Sequence, residues 1–314
     1  NCGRPARVSH VGWLLELETA AVRDICLVAG DPPLIALQVA DDALAFFALH
    51  TGASYGWGSL PRSGARDPLD CLGVTLLDTL RTPNGAILPC VRLGPMTVLT
   101  AYDGRLHVIQ SGEGTVTLVI DGERIDLLRD HAADVLTVGL DRELGTVGAL
   151  TGDGVLHVFQ QHVAVGSYAV GVARDGCRPT ICLPDAAGVI VIGDTDGTRI
   201  FDTAGRMLAQ ADCPAGFCGA AVAPAGQWVI RYGGRGGTIR AYDALLTAVY
   251  QGTGDDLRAA SHSVQLFRAE AAAGEEIRAL AVADEGVLVF VQGRTLCCAR
   301  LSALASLPSE QMLL

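Results

Sequence analysis

TVLTAYDGRLHVIQ (residues 97–110) sets the pattern of the chain: an apolar run, an Asp-Gly turn, then a run in which apolar and polar residues alternate. GTVGALTGDGVLHVFQ (145–160) repeats it almost residue for residue. GVIVIGDTDGTRIFD (188–202) and GQWVIRYGGRGGTIRAYD (226–243) follow the same plan, and PLIALQVADDALAFFALHTG (33–52) and GVLVFVQGRTLCCARL (286–301) are weaker copies. Each predicts a β-hairpin whose turn needs positive φ, which Asp-Gly and Gly-Gly supply.

Working outward, the turn anchors Asp42, Gly104, Gly154, Gly197, Gly237 and Gly293 are spaced 62, 50, 43, 40 and 56 residues apart. Repeats of this length that hold several strands each match the blades of a β-propeller. Further apolar runs at 133–141 and 219–226 supply strands between the hairpins. No segment carries a clear helical stripe; residues 261–274 have room for one short helix. The stretches 56–68 and 253–274, rich in small, polar and turn-forming residues, read as insertions between strands. VGWLLELE (11–18) is strand-like and precedes the first hairpin. It is expected to complete the last blade beside CCAR (297–300), because a sewn-up ring has no open edge.

His131, followed by Asp134-Val135, the strand to Asp141 and then LTGDGVLHVF, resembles a WD repeat. In that family a His leads through a short strand to an Asp-containing turn and a strand with an aromatic end. Here Asp130-His131 stands where the family has Gly-His, and Phe201-Asp202 and Tyr242-Asp243 stand where it has Trp-Asp. The resemblance covers most of the chain. It implies an all-β, closed β-propeller of four-stranded blades, seven by the family norm and six by the spacing. It also implies that His131 joins the turn carboxylate Asp153 in a stabilising hydrogen-bond network inside one blade.

Composition narrows the function. The chain has 314 residues, 50% of them apolar and 18% charged, with a formal net charge of −11. That apolar fraction excludes disorder, and the acidic balance argues against nucleic acid, whose binding rests on contacts between cations and phosphates. The low charge, against roughly 25% in ordinary soluble domains, points to a surface that is either covered by partners or sticky on its own. All 23 basic residues are arginine. The ten cysteines fall mostly inside apolar runs, which reads as buried thiols in a reducing, cytoplasmic compartment. The pairs Cys177/Cys182 and Cys213/Cys218 have neither zinc spacing nor a nearby histidine, so no metal is expected.

No motif completes a catalytic set. Gly52-Ala53-Ser54-Tyr55-Gly56 spells a nucleophile elbow, but WGSLPRSG after it cannot start the helix that the elbow needs. Asp194-Thr195-Asp196-Gly197 opens like a calcium loop, lacks the later ligands, and is expected as a solvent-exposed type I′ turn. The glycine-rich 233–237 has no helix behind it to cradle phosphate. His107 and His157 occupy equivalent LHV triplets, which suggests structure rather than chemistry. The chain therefore reads as one domain over residues 1–314, part of a longer protein. Its expected role is that of a non-catalytic scaffold without cofactors, holding other proteins in a multi-subunit complex. The hairpin turns of such blades emerge on one face, which places Asp41, Asp103, Asp153, Asp194, Asp196 and Arg235 on a partner-binding rim. The alternative is a propeller enzyme or small-ligand binder whose acids converge on a central channel.

Overall fold

A computed structural model describes residues 8–17, 22–39, 43–59, 82–86, 88, 90–93, 97–102, 105–120, 123–141, 145–172, 179–184, 187–212, 217, 219–233, 237–246, 248–253, 276–283 and 285–301. The protein is all-β: six antiparallel sheets, five of four strands and one of five, with no helix among the described residues. The strands fall into two compact units, residues 21–172 and residues 1–20 with 173–314.

β1 (Val8–Glu16) belongs to the second of these units, and the strands that follow it build the first. β2 (Val22–Val28), β3 (Leu34–Val39), β4 (Ala43–Ala48) and β5 (Ser54–Ser59) form one sheet in chain order. β6 (Cys90–Leu93), β7 (Thr97–Tyr102), β8 (Arg105–Gly112), β9 (Thr115–Ile120) and β10 (Glu123–Leu128) form the five-stranded one. β11 (Val135–Asp141), β12 (Thr146–Thr151), β13 (Val155–Gln160) and β14 (Val163–Ala169) form the third. Ile109, Val116 and Leu118 of the five-stranded sheet meet Val135, Val138, Val147 and Phe159 of the next in one core cluster. A fully buried side chain of this size contributes about 1.5–3 kcal/mol. The extra strand β10 is tied to β9 through Asp126, which accepts from Thr117 Oγ1 at 3.0 Å and from Arg124 Nε at 3.2 Å and also pairs with Arg129. The Thr117 hydroxyl, then Arg124 and Arg129, hold the Asp126 carboxyl below its usual range.

In the other unit β15 (Thr180–Cys182), β16 (Val189–Gly193), β17 (Gly197–Asp202) and β18 (Met207–Asp212) form a sheet. β19 (Gly219–Val222), β20 (Trp228–Gly233), β21 (Thr238–Asp243) and β22 (Ala248–Thr253) form the next. β23 (Ile277–Val282), β24 (Val287–Gln292) and β25 (Thr295–Leu301) are completed by β1, in the order β1-β25-β24-β23. The expected pairing of the N-terminal run with CCAR is present, with Trp13 opposite Cys298 and Leu14 opposite Cys297. β19 lies beside both β15 and β23.

All six hairpins read from the sequence are hairpins, β3–β4, β7–β8, β12–β13, β16–β17, β20–β21 and β24–β25. The repeat extends to irregularities that no alternation pattern displays. Four fourth strands carry one extra residue just after the turn that enters them: Tyr55, Val165, Leu208 and Val249. Each follows an aromatic residue on the preceding strand, Phe47, Phe159, Phe201 or Tyr242, and all four aromatics are buried. The first strands β2, β11 and β23 carry a second recurrent bulge, at Arg23, Leu136 and Arg278. The insertion expected at 56–68 starts later, since residues 56–59 belong to β5, and the remainder lies outside the described residues, as do 254–274 with their expected helix.

Because β25 is sandwiched between β24 and β1, Cys297 and Cys298 are both buried although they point to opposite faces. Burial pushes the Cys298 thiol up to about 12. Neither thiol should react with an aromatic disulfide reagent at pH 8 in the folded protein, and both should react in denaturant. Deleting residues 1–17 should expose the pair to the reagent and lower the melting temperature sharply; unchanged reactivity would show that β1 does not hold this edge.

Candidate functional site

In the first unit a polar cluster is built around the β12–β13 hairpin. Gly154 takes a left-handed φ of 82°, which folds the chain so that Thr151, Asp153 and His157 converge. Thr151 is fully buried, and its hydroxyl donates to Asp153 Oδ1 at 2.6 Å. His157, also buried, sets Nε2 3.5 Å from that hydroxyl and Nδ1 2.8 Å from Ser167 Oγ on β14. With the Thr151 proton committed to the carboxylate, Nε2–H of His157 donates to Thr151 and Ser167 donates to Nδ1.

His131 enters from the β10–β11 connection. Its backbone N–H donates to Gly114 O at 3.0 Å. A Cβ on Gly114 would lie 2.0 Å from the His131 carbonyl oxygen, and φ there is 62°, so only glycine serves. The His131 ring meets His157 edge-on, with centroids 4.8 Å apart. Its Nδ1 accepts the Ala133 N–H at 3.2 Å, and its Nε2 lies 3.7 Å from Asp153 Oδ2. The Thr151 hydroxyl, helped by His131, holds the Asp153 carboxyl below its ordinary value against the opposing effect of burial. Burial first, then His131, pushes the His157 imidazole down.

In the second unit the Asp194–Gly197 turn differs from expectation. Asp194 is 3% exposed, and its carboxylate closes the turn by accepting from the amides of Asp196 at 3.0 Å and Gly197 at 3.1 Å. Its other oxygen takes Arg199 Nη2 at 2.5 Å. The turn is thus exposed only at its tip, Asp196, and is not of type I′, since neither Thr195 nor Asp196 adopts positive φ; Gly197 does not either, unlike Gly154, Gly237 and Gly293. Glycine is required there because a Cβ would lie 2.4 Å from Ala211 O.

Of the residues expected on a rim, Asp41, Asp103 and Arg235 lie outside the described residues. Asp196 is exposed and the Asp153 side chain is 43% exposed, while buried Asp194 has no surface to offer a partner. The structure brings His131 and Asp153 together. Thr151, Ser167 and Arg199 were not read as site residues, although Arg199 and Arg240 sit at the register of His157, opposite Ile192, Arg231 and Ala149. Ser54 opens strand β5, not a turn into a helix. Among the described residues no group of three or more His, Cys, Asp or Glu is placed to hold a metal.

Chemically, the Ser167–His157 pair is a weak start for nucleophilic catalysis. The second imidazole nitrogen is spent on Thr151, so the carboxylate that would orient a base is one group too far away. No protein-family model matches the chain, and no curated protein matches it.

Below pH 6.5, the ordinary value for histidine, the unfolded chain takes up a proton on His157 that the folded state resists. Stability should therefore fall as pH drops from 6.5 towards the depressed folded value. His157→Gln keeps hydrogen-bonding groups but does not titrate. Urea denaturation at pH 7.5 and 5.5 should show a smaller loss for this variant than for the parent. In a second experiment, Asp194→Asn should lower stability by about 3–5 kcal/mol, since it removes the buried carboxylate charge that pairs with Arg199; a cost near that of a surface substitution would contradict the pairing.

Proposed function

We propose that the six sheets are the blades of a closed, WD-repeat-like β-propeller that acts as a non-catalytic scaffold for other proteins in a cytoplasmic complex. Support for the ring comes from the recurrence of sheet order and bulge positions, and from the completion of the last sheet by β1. Such completion is how a closed array removes its last edge. Support for an intracellular setting comes from Cys26, Cys182, Cys297 and Cys298, which are thiols.

One contrast carries the binding reading. The inner polar side chains Thr151, His157 and Asp194 are engaged within the fold, whereas large apolar side chains are left on its outer strands and turns. Trp57 is 64% exposed, Leu245 74%, Val163 68% and Met207 55%. Exposed aromatic and aliphatic groups are what a protein interface uses for affinity, and turn carboxylates supply charge for steering. Among the described residues, Asp153 and Asp196 are the rim carboxylates available for that role.

The test uses a partner recovered by affinity purification and then rebound in purified form. Trp57→Ser should weaken binding by at least about thirtyfold if it is an anchor, the range found for buried interface aromatics. Asp153→Asn with Asp196→Asn should reduce the association rate and its salt dependence. Both variants should keep the parent melting temperature to within a few degrees. If neither changes binding, these surfaces are not the interface.

A further inference from the structure

At the register where β12 carries Ala149 and β16 carries Ile192, β20 carries Arg231. Arg231 is fully buried. It faces the β15–β18 sheet, for a Cβ on Gly193 would lie 1.8 Å from its Nη1. Its Nη2 donates to the carbonyl oxygens of Asp194 at 2.6 Å and Phe217 at 3.3 Å. Its Nε and Nη1 are buried and donate to no described residue.

A second guanidinium stands directly opposite. Arg240 on β21 pairs in register with Arg231, so both side chains leave the same face of the sheet. Val229 and Tyr242 share that face and pack on Val189, Val191 and Ile200 of the β15–β18 sheet. Arg240 lies 5.4 Å from the centroid of the Tyr242 ring, and its buried Nε is unpartnered among the described residues. On the facing sheet, Thr198 is paired with Gly193 in register and is fully buried, and its hydroxyl makes no hydrogen bond there either. Asp194 offers Arg231 only its backbone carbonyl, because its carboxylate is taken by Arg199 and the turn amides.

Two opposed cations repel, and a buried guanidinium without a counter-charge is costly. All the unpartnered groups here can donate, and two bear positive charge. Guanidinium forks and a hydroxyl together match the oxygens of a small oxyanion, whereas a halide would answer the charge but not the geometry. We propose that a tetrahedral oxyanion of the phosphate or sulfate type binds between these two sheets, held by Arg231, Arg240 and the Thr198 hydroxyl. Arg240 is partly exposed and marks the side of entry.

The test is thermal unfolding and isothermal calorimetry of the full chain with inorganic phosphate, against sodium chloride at matched ionic strength. Phosphate should raise the melting temperature saturably, by about 3–5 °C near a hundredfold excess over its Kd, with one site per chain. Chloride should not. Arg240→Gln should abolish the phosphate-dependent rise, and the near-isosteric Thr198→Val should weaken it in a chain that still folds. Arg231→Met should be insensitive to phosphate and at least as stable as the parent in phosphate-free buffer, since it removes the unneutralised charge. Equal shifts with phosphate and chloride, or a phosphate shift that persists in Arg240→Gln, would overturn the proposal.

Discussion

The structure depends on burying the second strand of a sheet on both of its faces. β12 and β16 are buried at every position, and β3, β20 and β24 at all positions but one. An antiparallel sheet more often wets one face, and its strands then alternate. Here both faces of these strands are buried, so the strands must be apolar almost throughout. That requirement accounts for the positive mean hydropathy of +0.35 and the scarcity of charge.

The sheets answer the requirement differently at one shared register. On β13 the position holds His157, whose burial keeps it neutral and whose nitrogens are satisfied by Thr151 and Ser167. On β17 it holds Arg199, a permanent cation, and the Asp194 carboxylate at the preceding turn neutralises it. On β21 it holds Arg240, opposite a second arginine, with an aromatic face and, among the described residues, no carboxylate to meet it. Hydrogen bonding, ion pairing and an uncompensated charge thus occupy equivalent places in three sheets. The third solution is unstable on its own terms, which is why it points outside the chain for completion.

Four of the six hairpins were legible because their turns carry Asp-Gly or Gly-Gly between apolar runs, and the other two, at Asp41-Asp42 and Gln292-Gly293, because the apolar runs around them repeat the same plan; these signals are local. The bulges at Tyr55, Val165 and Leu208 were not, since one extra residue shifts the alternation and makes the outer strands look irregular. β10 was missed because ERIDLL reads as a polar edge, and it is one, kept in place by Asp126 and its three partners. Of the candidate site, the proximity of His131 and Asp153 followed from the resemblance to a WD repeat. The burial of Asp194 could not: a carboxylate in an Asp-x-Asp-Gly run looks like a surface turn until Arg199, five residues on, is known to return to it.

The outer strands carry the opposite constraint. β14 and β18 are exposed at alternate positions or more, and they bear Val163, Val165, Met207 and Leu208 in the open. A flat apolar edge of this kind would recruit other strands indiscriminately. The bulge at the start of each strand bends the backbone and increases its twist, which spoils a long, straight register for an intruding strand. Apolar surface is thereby kept available to a shaped partner while continuous strand addition is discouraged. β9 shows the other way to protect such an edge: β10 pairs along it, and five of its six residues are buried. The same chain therefore holds a covered and an uncovered form of one edge, and the uncovered form is the one that leaves side chains free to recognise something else.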